Sequence, residues 1–267
     1  MQFLRNSLLL SLAAFLSLTG CGQQAPTGAQ ESKPELLIYC GITMAHPITA
    51  IAKIIEKERN LTIRVNQGGS EDLYQSLKES RKGDLYLPGS ASYRKQYLPD
   101  GLLGDFVHVG YNQAALLVPK GNPKGLKADL NNLTRKDLAV VACNPDTGSI
   151  GRESKRILEK FGNYQAVMGN AVFLTTDSRN MNKALADGDA DIILNWRATA
   201  FFPENSGKFD VLDLDPAVAE PKKLLLNILT FSKYPEVAKR FMEYAASPEG
   251  QEIFRQYGFI DNTKKFD

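Results

Sequence analysis

The stretch ELLIYCGITMAHPITAIAKIIEKE, residues 35–58, changes its pattern half-way along. Its first six residues form a short apolar run of the kind found in strands that are buried on both faces. The run ends at Cys40 and Gly41, and beyond Pro47 the apolar residues recur at helical spacing. The first turn of a helix carries unpaired backbone N–H groups and a partial positive charge. A strand that passes so directly into a helix therefore predicts a site for a small anion at this junction.

The same order of strand and helix recurs along the chain. Helical patterns follow most of the apolar or alternating runs, which lie at 61–65, 83–87, 138–143, 171–176 and 190–196. The segment 105–121 is too long for one strand and predicts a pair of strands or a bent crossing strand. Together these patterns predict an α/β fold with mainly parallel sheets covered by helices. Ligands bind beyond the carboxyl ends of such strands, in loops that here are 40–46, 66–70, 88–90, 143–149, 177–181 and 195–199.

Several of these loops combine small residues with hydroxyl groups. Gly41 and Thr43 precede the first helix, GGS at 68–70 precedes the second, and TGS at 147–149 precedes a long helix. Glycine lets a ligand approach the helix backbone closely, and Ser70 is expected to cap the second helix. A single turn of this kind is usually only a turn and a cap. Three of them at equivalent strand ends predict an anion site that needs no lysine or arginine.

The composition excludes several classes of function. The chain has 267 residues, of which 43% are hydrophobic and 23% charged, and this is typical of one large globular domain or two smaller ones. Its net charge of +2 creates no field for nucleic acid or an anionic membrane surface. There is no phosphate-loop, HExxH or GxSxG motif, and the two histidines, His46 and His108, allow few catalytic arrangements. We therefore expect a protein that is not an enzyme and has no cofactor or nucleic-acid partner.

The N-terminal residues are typical of a secretion signal. Residues 1–20 contain one basic residue, Arg5, and an apolar run too short for a membrane span. Small residues before Cys21 resemble a bacterial lipoprotein signal, which is cleaved before a cysteine that carries lipid; an ordinary signal peptide with a chance cysteine is the alternative. Residues 21–34, rich in Gly, Gln, Pro and Ser, are interpreted as a flexible tether. These features predict an exported protein anchored to a membrane by lipid on Cys21.

Two further cysteines each end an apolar strand. Cys40 and Cys143 occupy equivalent places in two strand–helix units. In an oxidising compartment a disulfide between them is one interpretation, and two buried thiols are the preferred one. Neither cysteine has the spacing of a metal site with His46, so no metal ligand is predicted.

Six segments together resemble the extracytoplasmic solute-binding proteins of ABC transporters, specifically the molybdate-binding family and its close oxyanion-binding relatives. The resemblance covers nearly all of residues 36–260. It rests on IYCGITMAHPITAIA (38–52), GGSEDLYQSLKESRKGDLYLPGSASY (68–93), LLVPKGNPKGL (116–126), ACNPDTGSIGRESKRILEKFG (142–162), ALADGDADIILNW (184–196) and SPEGQEIFRQYGF (247–259). The resemblance implies a monomer that passes a small inorganic oxyanion to an ABC permease.

The implied architecture is the type II two-lobed binding-protein fold. Each lobe is expected to hold a mainly parallel sheet flanked by helices, and two crossing segments act as hinges. By this resemblance lobe 1 comprises 35–112 and 219–267, and lobe 2 comprises 113–218. The crossings are expected near 111–118 and 212–228.

The resemblance also implies which residues hold the anion. In the molybdate branch the donors are a serine after the first strand, a serine before the second helix, backbone amides in the second lobe, and a tyrosine hydroxyl. The residues matched by motif are Thr43 (or Ile42, if the loop shifts by one), Ser70, Ile150, Met181 and, in place of the tyrosine, Trp196. Ser149, from the TGS turn, is also expected to bind the ligand. An indole N–H donates hydrogen bonds as the tyrosine does, but from a different distance. The matched positions include no carboxylate, which favours fully ionised anions such as molybdate, tungstate or sulfate.

Two other interpretations stay open on the sequence. A binding protein for ferric ion or an organic anion is one, because Tyr39, Tyr86 and Tyr93 lie near the expected cleft. An enzyme on the same fold is the other, and it would have to use Cys40, Cys143 or His46 as nucleophile or base.

Overall fold

The computed structural model describes residues 33–266 as two five-stranded sheets flanked by helices. The predicted signal peptide, Cys21 and nearly all of the predicted tether lie outside the described residues. Within 33–266 no helix is both long enough and apolar enough to span a membrane.

Within residues 33–266 there are ten strands and eight α-helices, which alternate over much of the chain. The strands are β1 (Glu35–Gly41), β2 (Thr62–Gly68), β3 (Leu85–Leu87), β4 (Leu103–Asn112), β5 (Ala114–Pro119), β6 (Val140–Cys143), β7 (Ala171–Thr175), β8 (Ile192–Trp196), β9 (Phe209–Asp213) and β10 (Lys222–Leu229). The helices are α1 (Ala45–Arg59), α2 (Ser70–Ser80), α3 (Ala91–Tyr97), α4 (Ser149–Phe161), α5 (Tyr164–Asn170), α6 (Ser178–Asp187), α7 (Pro235–Ala246) and α8 (Pro248–Gln256).

The strands divide between two sheets, each of which forms one lobe. The sheet of lobe 1 has the order β2-β1-β3-β10-β4, and the sheet of lobe 2 has the order β7-β6-β8-β5-β9. In lobe 1 the pairs β1–β2 and β1–β3 are parallel, and β10 runs antiparallel to β3 and β4. In lobe 2, β6 is parallel to β7 and β8, and β5 is antiparallel to β8 and β9. The predicted α/β fold with two helix-flanked sheets is confirmed, but each sheet is mixed, with two parallel and two antiparallel strand pairs.

The chain crosses between the sheets twice. β4 ends at Asn112 in lobe 1 and β5 begins at Ala114 in lobe 2, so a single residue separates them. β9 ends at Asp213 in lobe 2, and β10 begins at Lys222 in lobe 1. The long segment 105–121 is therefore the first crossing, as one of the two interpretations of its length predicted.

Each lobe has its own apolar core. In lobe 2 the core lies around Val141, Ile193 and Leu117, against the buried faces of α4 and α6. In lobe 1 an aliphatic core lies around Ile38 and Ile51, and a second, aromatic cluster lies against α2 and α3. The aromatic cluster includes Tyr74, whose ring stacks on that of Tyr97 with centroids 3.6 Å apart. Two separate cores allow the lobes to move as bodies about the crossings.

Candidate anion-binding site

The carboxyl ends of both sheets meet at a small cavity between the lobes. Its lining comprises Ile42, Thr43, Gly68, Gly69 and Ser70 from lobe 1, and Gly148, Ser149, Asp177 and Ser178 from lobe 2. The cavity is small in this closed arrangement, with a volume of about 10 Å³. The structure thus brings together three of the residues expected to hold the anion, namely Thr43, Ser70 and Ser149.

Thr43 is presented by a tight turn that links β1 to α1. Residues Ile42–Met44 form one turn of 3-10 helix, and α1 begins directly after it at Ala45, earlier than the pattern beyond Pro47 suggested. The Thr43 side chain is buried, and within the described part of the chain its hydroxyl has no hydrogen-bond partner. The hydroxyl is not among the buried polar atoms that lack a partner, so it is accessible at the cavity, where a ligand could reach it.

Ser70 is the first residue of α2, and the helix is capped by Gly69 without a side-chain hydrogen bond. The expectation that Ser70 caps the helix is wrong. Its Oγ instead accepts a hydrogen bond from the backbone N–H of Gly89 at 3.0 Å. The hydroxyl of Tyr86 donates to the carbonyl oxygen of Ser70 at 2.8 Å. Because the Oγ already accepts one hydrogen bond, its own hydrogen is free to point at a ligand.

Ser149 is held in a similar way by the single tryptophan. The Nε1–H of Trp196 donates to the Oγ of Ser149 at 3.1 Å, so the hydroxyl hydrogen of Ser149 is free for a ligand. Trp196 itself is fully buried and is not among the cavity-lining residues. The structure therefore places Trp196 behind Ser149, where it orients the hydroxyl, rather than in the wall of the cavity.

Ile150 and Met181, which were expected to offer backbone amides to the anion, are not among the residues that line the cavity. Both side chains are packed in the core of lobe 2. Ile150 lies in the first turn of α4, where backbone N–H groups have no partner within the helix and Gly148 supplies no side-chain cap. The Met181 N–H donates to the carbonyl oxygen of Asp177 at 3.2 Å, an ordinary helical bond. Ser178, at the start of the same helix, lines the cavity instead.

Asp177 was missed by sequence reasoning. It caps α6 and brings a carboxylate to the cavity lining, where the matched positions had offered none. Its Oδ1 accepts from the backbone N–H groups of Arg179 at 2.8 Å and Asn180 at 2.9 Å. Its Oδ2 accepts from the side-chain amide of Asn180 at 2.9 Å and the hydroxyl of Thr176 at 3.4 Å. An aspartate followed by serine at a helix start is a recognisable cap, but its nearness to the cavity depends on the tertiary structure.

Gly89 is a second residue that sequence reasoning missed. It follows β3 in lobe 1 and faces Ser149 across the cleft. A Cβ atom on Gly89 would lie 2.5 Å from the Oγ and 2.9 Å from the Cβ of Ser149. The lobes can therefore meet at this distance only because residue 89 has no side chain.

Arg152 joins the lobes beside the cavity. It lies in the first turns of α4, and its guanidinium donates to the Oε1 of Gln96 at 2.9 Å and to a carboxylate oxygen of Glu71 at 3.4 Å. The guanidinium carbon also lies 4.2 Å from the ring centroid of Tyr93. Ser149 and Arg152 lie on the same helix. The arrangement that places Ser149 at the cavity therefore also places Arg152 against lobe 1.

Two further contacts cross the cleft at other points. Arg179 in lobe 2 donates to the side-chain oxygen of Gln67 in lobe 1 at 2.8 Å. The Nε2 of His46 in lobe 1 lies 3.1 Å from a carboxylate oxygen of Glu204 in lobe 2. The His46 ring also lies edge-on to Phe202 with centroids 4.7 Å apart. His46 thus contributes to the contact between the lobes and does not line the cavity.

The two strand-end cysteines are free and buried. The disulfide interpretation is therefore wrong. Burial raises the pKa of the Cys40 thiol far above its ordinary value, and burial likewise raises the pKa of Cys143 to about 12. Both thiols stay protonated at neutral pH, where a thiol is a poor nucleophile. Among residues 33–266 no group of three or more His, Cys, Asp or Glu side chains is arranged to hold a metal ion.

Residues 36–260 match the family model of bacterial extracellular solute-binding proteins. The chain belongs to this family. It is similar to a sulfate-binding protein of Synechococcus elongatus, with 22% identity over 95% of this chain and 81% of that one. It is also similar to the molybdate-binding protein ModA of Rhodobacter capsulatus, with 20% identity over 85% of this chain and 88% of that one.

The fold of this solute-binding protein is shared with solved structures. One is the periplasmic molybdate-binding protein of Azotobacter vinelandii, with a TM-score of 0.73, 13% identity, and coverage of 84% of this chain and 98% of that chain. The resemblance to the extracytoplasmic proteins of ABC transporters and the type II two-lobed fold are therefore confirmed.

Proposed function

We propose that this solute-binding protein captures a small, fully ionised oxyanion between its lobes and delivers it to an ABC permease. Molybdate and tungstate are the leading candidates, and sulfate is the second. The proposed ligand-binding groups are the hydroxyls of Thr43, Ser70, Ser149 and Ser178 together with the backbone amide of Ile150. We propose a monomer that undergoes closure of the two lobes on binding.

The convergence of four hydroxyl-bearing residues and two helix N-termini carries this proposal. The residues Thr43, Ser70, Ser149 and Ser178 all line one cavity, at the starts of helices or helical turns. α2 and α4 both begin after a glycine with no side-chain cap, so their first N–H groups remain for a ligand. Helix N-termini bind anions through these groups and through the helix dipole.

The chemistry of the donors favours a fully ionised anion. Hydroxyls and amides donate to an anion, whereas a protonated oxyanion also needs an acceptor in the site. The one carboxylate in the cavity lining, Asp177, already accepts four hydrogen bonds within the protein. Three of these contacts are 2.9 Å or shorter and the fourth, from Thr176, is 3.4 Å, so most of its acceptor capacity is used within the protein.

A ferric-binding function finds less support. None of the three tyrosines considered for it lines the cavity, and Tyr86 uses its hydroxyl on Ser70. Burial raises the pKa of Tyr86 well above its ordinary value and that of Tyr93 to about 12. Burial thus opposes the phenolate form that iron would need.

An enzymatic function on this fold also finds less support. The only nucleophile or base candidates were the two buried thiols and His46, and none lines the cavity. The related proteins named above are named for binding sulfate and molybdate. We propose binding and transport without catalysis.

We further propose that the mature protein begins at a lipidated Cys21, after removal of residues 1–20. Residues 21–34 would form a flexible tether between the lipid and the two lobes. In this proposal lobe 1 comprises residues 35–112 and 219–267, and lobe 2 comprises residues 113–218. Support comes from the small residues before Cys21 and from the extracellular family. Expression of Cys21→Ser in a bacterial host tests the anchor. The native chain should fractionate with membranes and the variant with soluble exported protein; equal fractionation would refute lipid anchoring.

A thermal-shift panel tests the ligand class. Purified protein would be heated with molybdate, tungstate, sulfate, phosphate, ferric citrate and small organic acids in turn. A ligand present at about 1,000 times its dissociation constant stabilises the folded state by about 4 kcal/mol, which gives an easily measured shift. We expect the divalent tetrahedral anions to give the large shifts. A shift with ferric citrate or an organic acid alone would refute the proposal.

A further inference from the structure

The single charged side chain that lines the anion cavity is negative. Among the lining residues that the structure describes there is no Lys, Arg or His, and Asp177 is the one Asp or Glu. Arg152 and Arg179, which reach across the cleft, are turned to partners in lobe 1, Arg152 to Glu71 and Gln96, and Arg179 to Gln67. A bound anion would therefore lie against a lining that includes the acidic residue Asp177 and no cationic residue among those described.

The Asp177 carboxylate is engaged by the protein. It accepts two backbone N–H groups at the start of α6, one side-chain amide and one hydroxyl. These contacts orient the group and use most of its acceptor capacity, but they leave its negative charge in place. Asp177 therefore acts on a ligand mainly by its charge and has little capacity left to accept a ligand hydrogen bond.

We propose that Asp177 is a specificity-determining residue that discriminates among oxyanions of one shape by their charge. This inference rests on the proposed capture of a small oxyanion. Coulomb repulsion between a carboxylate and a ligand is proportional to the charge on the ligand. Asp177 then weakens the binding of a divalent tetrahedral anion by more than that of a monovalent one of equal size. It limits affinity for the transported ion and so favours release of the ion to the permease.

The variant Asp177→Asn removes the negative charge of the side chain and keeps its role as the N-cap of α6. Asparagine is as good a helix N-cap as aspartate, and its side-chain oxygen can still accept from the N–H groups of Arg179 and Asn180. Asp129→Asn is the matched control, because Asp129 also caps a helical turn, accepting from the N–H of Asn131, and does not line the cavity. Circular dichroism would show that both variants keep the native fold.

The probes are two pairs of tetrahedral anions that differ in charge. Tungstate and perrhenate form one pair, and sulfate and perchlorate the other. Dissociation constants would be measured by isothermal titration calorimetry, or by competition with tungstate where binding is weak. Asp177→Asn should lower the dissociation constant of the divalent anions about tenfold and that of the monovalent anions about threefold. The reason is that the logarithm of the change is proportional to the charge on the ligand. Asp129→Asn should change neither by more than about twofold.

Three outcomes overturn the inference. Equal changes within each pair would show that charge is not the basis of the effect, and unchanged affinities would show that Asp177 does not affect binding. Weaker binding by the variant would mean that Asp177 helps to hold the ligand. If neither the native protein nor the variant bound any of the four anions, the proposed function itself would fail, and the inference with it.

Discussion

Replacement of Gly89 by alanine tests whether closure of the lobes creates the binding site. The new Cβ would lie 2.5 Å from the Oγ and 2.9 Å from the Cβ of Ser149. Carbon atoms in contact are normally about 3.5–4.0 Å apart, so the two lobes must separate by roughly 1 Å at this point. The Cβ of Ser149 is fixed to the backbone of α4, so a rotamer change cannot relieve the clash.

The clash made by the new methyl group should weaken anion binding and should leave the stability of the ligand-free protein nearly unchanged. Gly89 is not among the residues with positive φ, so alanine fits its backbone. The hydrogen bond from its N–H to Ser70 is kept, and Ser149 belongs to the other lobe, so an open form has no clash. Overpacking costs about 1–3 kcal/mol, which corresponds to roughly a 5- to 150-fold rise in Kd. The melting temperature without ligand should change little.

Isothermal titration calorimetry with tungstate or molybdate gives the Kd, and small-angle scattering with ligand reports closure. Gly169→Ala is the matched control, because a Cβ there would meet no atom within 4 Å. The control should bind as the native protein does. If Gly89→Ala also bound within twofold of the native protein, the reasoning that the closed lobes form the site would be refuted.

Three other perturbations follow from single contacts. Ser70→Ala removes a proposed donor and should weaken anion binding about tenfold or more by calorimetry, with little unfolding. Trp196→Phe removes the N–H that orients Ser149, and about a fivefold loss of affinity is expected by the same assay. Cys40 and Cys143 should fail to react with a thiol reagent in the native protein up to pH 9, because their raised pKa values keep them protonated, and should react after denaturation.

Each of these has a control or a refuting result. Ser76→Ala, on the exposed face of the same helix as Ser70, should leave affinity unchanged. Native affinity in Ser70→Ala would remove that hydroxyl from the proposed site. An unchanged Kd for Trp196→Phe would show that the indole only fills space. Rapid labelling of either thiol in the folded protein would contradict the burial that the structure assigns to it.

Local patterns in the sequence determined most of the fold. Apolar runs and helical spacing depend only on neighbouring residues, and they placed the strands from β1 to β8 and most of the helices that follow them; the short helix α5 was not predicted. The order of strands and helices determined the parallel strand pairs and the edge at which ligands bind. Small residues and hydroxyls after β1, before α2 and before α4 then predicted Thr43, Ser70 and Ser149 as parts of an anion site. Thr43 and Ser70 follow neighbouring strands of the lobe 1 sheet, whereas Ser149 follows β6 in lobe 2, so the meeting of the two sheets brings it to them.

The tertiary structure decided what these residues do at the cavity. Trp196 lies behind Ser149, and the Met181 N–H donates a hydrogen bond within its own helix. The exact first residue of a helix and the direction of a side chain depend on packing, which the sequence pattern does not show. Asp177 and Gly89 gained their importance from the opposite lobe or from the cavity between the lobes. A contact between residues far apart in the chain depends on how two separately folded lobes meet. The residue pattern around Asp177 or Gly89 contains no information on how close these residues come to the other lobe. Only the folded structure could therefore place them at the cavity or against the opposite lobe.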